Sequence, residues 1–149
     1  MNRNAILSAF AYLGPVIATW TVSDPAWALG AGAAIPILII AFSIPSRNET
    51  ILTHSFQALN LLLFFMLVST FVGIIEKPGE IRWAGALGSV PLGAGASAAA
   101  RTAFWIIAIL RVTILTVLGC RVLMGRPAVL RNFGEIPAFL RRAQTDSAS

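Results

Sequence analysis

The sequence predicts an all-α protein: a membrane bundle of about four transmembrane helices, followed by a basic interfacial segment. Three observations carry that expectation. Of 149 residues, 57% are hydrophobic and only 11% are charged, against roughly 25% charged in an ordinary soluble domain. A body this small leaves many side chains near water, and so few charges cannot cover its surface, whereas lipid tails remove the need. The apolar residues also gather in blocks long enough to cross a hydrocarbon core of about 30 Å. Finally, the basic residues stand mostly at the ends of those blocks, where lipid headgroups lie. Residues 1–149 read as one membrane domain, with no room for a separate catalytic domain.

The first block spans 5–22, with Ser8, Tyr12, Thr19 and Thr21 as its polar side chains. Gly14-Pro15 at its middle predicts a kink, because proline lacks the N–H an inner turn needs. Neighbouring helices can satisfy the freed carbonyl. Ser23-Asp24-Pro25 reads as a tight turn in which Asp24 caps the next helix. Arg3, the apolar run and Ala26-Trp27-Ala28 have the outline of a signal peptide. The length of the run and the bulk of Trp27 argue instead for a retained helix. The second block spans 27–44. Its first half, Gly30 to Ala34, is small enough to pack closely on another helix. Ile37 to Ile40 suit lipid, and Pro36 predicts a second kink. Pro45 to Glu49 form a polar turn.

The third block runs from about Thr50, with its spanning part at 54–75. Thr53, His54, Ser55, Gln57 and Asn60 interrupt its start, while Leu61 to Ile75 are almost wholly apolar. Such a helix exceeds a hydrocarbon core at about 1.5 Å per residue, so its first turns are expected at the interface or against protein. Glu76 to Glu80 form a loop. Residues 84–100, rich in Gly, Ala and Ser around Pro91, read as an interfacial, re-entrant or loosely ordered stretch rather than a span. The fourth span is 102–124. The tail, 125–149, carries Arg126, Arg131, Arg141 and Arg142 among Leu130, Phe133, Ile136, Phe139 and Leu140, a pattern that suits anionic lipid.

Four spans put both termini on one side. That side holds seven basic residues, Arg3, Arg47, Arg121, Arg126, Arg131, Arg141 and Arg142; the other holds three, Lys77, Arg82 and Arg101. The excess of positive charge then places both termini in the cytoplasm, across the inner membrane of a cell.

Three short elements resemble a known family. His54-Ser55-Phe56-Gln57-Ala58-Leu59-Asn60 looks like the H-x-x-Q-A-L-N element of small bacterial membrane proteins similar to the Tic-twenty-like proteins of chloroplast protein import. Ala11-Tyr12-Leu13-Gly14-Pro15 resembles that family's first-helix motif. Gly134-Glu135-Ile136-Pro137 resembles its C-terminal ending. Leu52 and Thr53 depart from the Arg and aromatic that often precede the His. The resemblance implies a helical membrane fold and little chemistry.

His54, Gln57 and Asn60 step by three residues, so one helix face can present all three. They are candidates for contacts between helices or to a partner, worth about 0.6 kcal/mol each as interhelical hydrogen bonds. Arg111, near the middle of the fourth span, is the other candidate. A charge at that depth costs at least ~2.5 kcal/mol, and the spans contain no Asp or Glu to pair with it. Its partners would be carbonyls, Gln57, Asn60, hydroxyls, water, a lipid phosphate or an acidic residue of another subunit; the alternative is a shifted helix that places Arg111 nearer an interface. Arg121, Arg126, Arg131, Arg141 and Arg142 are candidate headgroup contacts.

Cys120 is the only cysteine, which rules out an internal disulfide; it reads as a small buried hydrophobe. A lone histidine without Cys, Asp or Glu at ligand spacing makes no metal site. The glycines lack a strand-turn-helix setting for a nucleotide, no carboxylate orients His54 for nucleophilic catalysis, and the apolar content excludes a soluble nucleic-acid reader. No cofactor is expected. The expected function is a non-enzymatic subunit or accessory protein of a larger membrane complex, partnered by the bilayer and by other integral membrane proteins. The alternative is a channel or protein-translocation component.

Overall fold

A computed structural model of the chain describes residues 3–21, 25–45, 48–76, 98–126, 128 and 130, with the backbone alone at 25–30, 73–76 and 101. The described residues form four helices: α1 (Arg3–Thr21), α2 (Pro25–Ser43), α3 (Glu49–Glu76) and α4 (Ala98–Leu123). They cover the four apolar blocks. The turn at 22–24 with its expected Asp24 cap, most of the 84–100 stretch, and the tail from Arg131 onward lie outside the described residues.

Two helices, α3 over Glu49–Val72 and α4 over Ala98–Leu123, are long and apolar enough to cross a membrane. In α2 the part described with side chains, Ala31–Ser43, is apolar but shorter. Helix α1 is diluted by Asn4, Ser8, Tyr12, Gly14, Pro15, Thr19 and Thr21. The sequence therefore reads correctly as four helices, while length and composition single out two of them.

Local chemistry explains the helix ends. Asn48 caps α3: its side-chain oxygen accepts the Ile51 N–H at 3.3 Å, one of the donors every helix start leaves open. Helix α4 is described from Ala98 onward, and Ala98, Ala99 and Ala100 favour helix strongly. It ends at a glycine. Gly125 has φ +68°, a conformation that costs other residues a clash. The Arg126 N–H reaches Arg121 O at 2.9 Å, and the Gly125 N–H reaches Val122 O at 3.0 Å. Those two bonds are the paired closure of a left-handed helix terminus. Pro15 and Pro36 sit inside α1 and α2 without ending them. The Thr19 hydroxyl donates to Pro15 O at 2.8 Å.

Helices α1 and α3 form the central pair, with α2 and α4 flanking it. The helices run up, down, up, down. Gly14 lies against Ile35 and Gly32 against Pro15, the sequence order of an antiparallel pair. A Cβ on Gly32 would sit 3.4 Å from Pro15 Cα, so the small face expected in α2 does permit close approach. The main core joins α1, α3 and α4 through Ala9, Ala11, Tyr12, Ala58, Leu61, Leu115 and Leu118. Ile40 and Leu52 make a smaller cluster between α2 and α3.

The exterior is apolar. Ile17 and Trp20 on α1, Leu38 and Phe42 on α2, Leu67 and Phe71 on α3, and Trp105 and Ile109 on α4 are all exposed. Soluble monomers rarely expose contiguous apolar surface on such a scale.

Candidate functional site

The polar start of α3 is buried in protein. His54, Ser55 and Gln57 are nearly inaccessible, beside Ile51, Leu52 and Ala58. That placement follows from the mixed sequence: polar groups at helical spacing need partners, and the interior supplies them.

The chain has one tyrosine and one histidine, and they meet. Tyr12 Oη lies 3.0 Å from His54 Nδ1, with both groups buried. The rings meet edge to face, with centroids 5.8 Å apart and planes at 70°. With the proton on Nε2, the phenol donates to Nδ1. Small neighbours make the meeting possible. Ala9, Ala11 and Ala58 are buried in the same core cluster as Tyr12, and such small side chains let helices approach closely.

One turn further along α3, Gln57 does something different. Its Nε2 donates to Ala128 O at 2.8 Å, and its Oε1 accepts from the Leu130 N–H at 2.9 Å. The one side-chain amide therefore satisfies a backbone acceptor and a backbone donor at once. Gln57 is wholly buried and Ala128 is 4% exposed. The first residues after α4 are thus fastened back onto the bundle. Asn60, the third member of the row, is half-buried on the following turn.

Arg111 is not part of this group. It falls on the same stripe of α4 as Leu115, Leu118 and Val122, at i, i+4, i+7 and i+11, and those three face the core. It is half-buried, with no hydrogen bond or ion pair among the described residues. Its depth depends on the frame of reference. Along α4 it is central, as the sequence suggests. In the bundle, Leu13 lies against Gly119. Counted along the helices from that contact, Arg111 and Thr21 are each about 12 Å away at 1.5 Å per residue.

The outer stripe of α4 carries Thr102, Trp105, Ile109, Thr113, Val117 and Cys120, all exposed. Cys120 is thus not the buried hydrophobe its apolar context suggests. It lies about 100° round the helix from Gly119, which packs on Leu13, and so faces outward. Arg121 and Arg126 are exposed at the same end of α4. Arg131, Arg141 and Arg142 lie outside the described residues.

Tyr12 is the neighbour of His54 that sequence reasoning missed. It entered only as a polar side chain of the first block and as part of the first-helix motif, and neither points to His54. Ser8 and Ser55 were also missed; their hydroxyls are buried without a hydrogen-bond partner. No group of three His, Cys, Asp or Glu that could hold a metal occurs among the described residues. No family model, curated protein or solved structure matches the chain.

Proposed function

We propose that the chain is a multi-pass integral membrane protein that serves as a non-enzymatic subunit or accessory protein of a larger membrane complex. The apolar exterior carries this reading, above all the outer stripe of α4. Among the described residues, one side of α4 faces the other helices, while Trp105, Ile106, Ile109, Leu110 and Val117 are exposed. Lipid can cover such a face, and so can another membrane helix, for which Thr102 and Thr113 offer hydroxyls that can bond across.

The reading extends to all four helices. Helices α1 and α2, at 19 residues each, are about 28 Å long, close to the ~30 Å of a hydrocarbon core. With α1 crossing, the count from the Leu13–Gly119 contact carries Arg111 toward the far edge of that core, where its guanidinium can reach phosphate or water. The end bearing Arg3, Arg121 and Arg126 is then the cytoplasmic face of an inner membrane.

A channel or translocation role, as in the Tic-twenty-like resemblance, has less support. Such a role needs polar groups free to line a path, and His54 and Gln57 are occupied in holding the fold together.

Gentle solubilisation followed by identification of co-purifying proteins tests the proposal. A stoichiometric membrane partner is expected, and Trp105→Ala with Ile109→Ala should lose it. Recovery only as a stable monomer refutes the subunit role. Release from membranes by alkaline carbonate refutes the membrane reading itself. Conductance across planar bilayers, abolished by Gln57→Ala, would favour the channel instead.

A further inference from the structure

A cavity at one end of the bundle includes the Asn48 cap on Ile51 in its wall and takes no part in the His54 and Gln57 contacts. It has a volume of about 590 Å³ and lies where α1 begins, α2 ends and α3 begins. Its walls differ in character. Arg3, Asn4, Ser43 and Asn48 form a polar side. Leu38 and Phe42 form an apolar side; they are 54% and 80% exposed, so that wall continues onto the outer surface. Among the described residues lining it, Arg3 is the one with a charge, and no carboxylate faces it.

We propose that this cavity binds an anionic phospholipid, with the phosphate on Arg3 and the first part of an acyl chain along Leu38 and Phe42. The proposal rests on the membrane reading above. The size lies within the roughly 300–1,000 Å³ of small-molecule sites. A guanidinium offers a planar fork of donors that matches two phosphate oxygens. Asn4, Ser43 and Asn48 carry side-chain groups of the kind that bond glycerol and ester oxygens. The polar-to-apolar change along the walls matches the change from headgroup to tail. A zwitterionic headgroup would bring its ammonium to a site where Arg3 meets no carboxylate; an anionic lipid brings no second cation.

Native mass spectrometry of the full chain in mild detergent tests the site. Phosphatidylglycerol, phosphatidylcholine, phosphatidylethanolamine and inorganic phosphate are added in separate titrations. Phosphatidylglycerol should be retained in preference to the other three. Arg3→Gln should weaken that retention about tenfold, the loss of one charge-assisted contact, and Arg3→Lys should recover part of it. Arg126→Gln, outside the cavity, should leave it unchanged. Equal retention of phosphatidylcholine overturns the proposal, as does inorganic phosphate binding as well as lipid. An Arg126→Gln effect equal to that of Arg3→Gln also overturns it, since that is a diffuse surface effect. If Arg3→Gln fails to fold, Phe42→Ala on the exposed wall reads the acyl contact, and unchanged retention there is equally fatal. A chain released by carbonate loses both the membrane reading and this site. A chain that stays embedded and prefers no lipid loses the site alone.

Discussion

Replacing Gln57 with leucine should free the start of the tail without unfolding the bundle. The two side chains are similar in volume, so α3 keeps its packing and only the amide is lost. Two backbone groups then lack partners. Ala128 is 4% exposed, so its carbonyl finds no water while the tail stays docked, at a cost of about 1–3 kcal/mol. Leu130 is 38% exposed, and its N–H recovers most of its loss by hydration. The docked state should therefore weaken by about 2 kcal/mol, a factor of about 30 in the docking equilibrium. Hydrogen–deuterium exchange at the Leu130 amide reads that equilibrium directly, because local opening exposes the N–H while α3 and α4 stay protected. The Leu130 amide should exchange about 30-fold faster in Gln57→Leu. Exchange within about threefold of the native rate would refute the reasoning, because the amide would then hold nothing. Gln57→Glu sharpens the test. A carboxylate can still accept from Leu130 but cannot donate to Ala128, and it places a charge in the interior. It should release the tail at least as strongly as leucine does.

Tyr12→Phe should lower thermal stability in detergent by about 1–3 kcal/mol, because a buried imidazole nitrogen is left unpaired. His54→Leu added to it should cost less than the sum of the single changes, as a double-mutant cycle would show. Gly119→Ala should destabilise by about 1–3 kcal/mol, since its Cβ would lie 2.6 Å from Leu13 Cγ. Gly125→Ala meets nothing within 4 Å and should cost only about 1 kcal/mol, from its left-handed backbone. Chemical unfolding of the two glycine variants side by side separates clash from strain. Arg111→Leu should leave insertion intact or improve it while weakening assembly with a partner. Unchanged recovery of the complex would show that Arg111 makes no partner contact.

The helices were legible because their signals are local. Apolar blocks bounded by turn residues lie within one stretch of chain, and the four helices match those blocks to within a few residues. The polar row at the start of α3 was legible for the same reason: His54, Gln57 and Asn60 share a face by spacing alone. What each of them meets was not. Tyr12 is 42 residues from His54, and Ala128 is 71 from Gln57. No periodicity links such pairs; only the packing of α1 against α3, and the return of the chain after Gly125, brings them together.

Arg111 shows the same division within one residue. The sequence places it at the middle of an apolar run, and along α4 that is where it lies. Its depth in the molecule is a different quantity, set by how far α4 slides past α1, and the seat of Leu13 against Gly119 decides that slide. Cys120 was misplaced for a related reason: an apolar neighbourhood in sequence does not say which side of a helix faces the core. By itself the sequence determined four helices over the described residues and a polar row on the third, because spacing and composition along the chain suffice for these. Only the tertiary structure decided which faces of the described helices are covered and what their buried polar groups bond to, because these depend on the rotation and register of one helix against another.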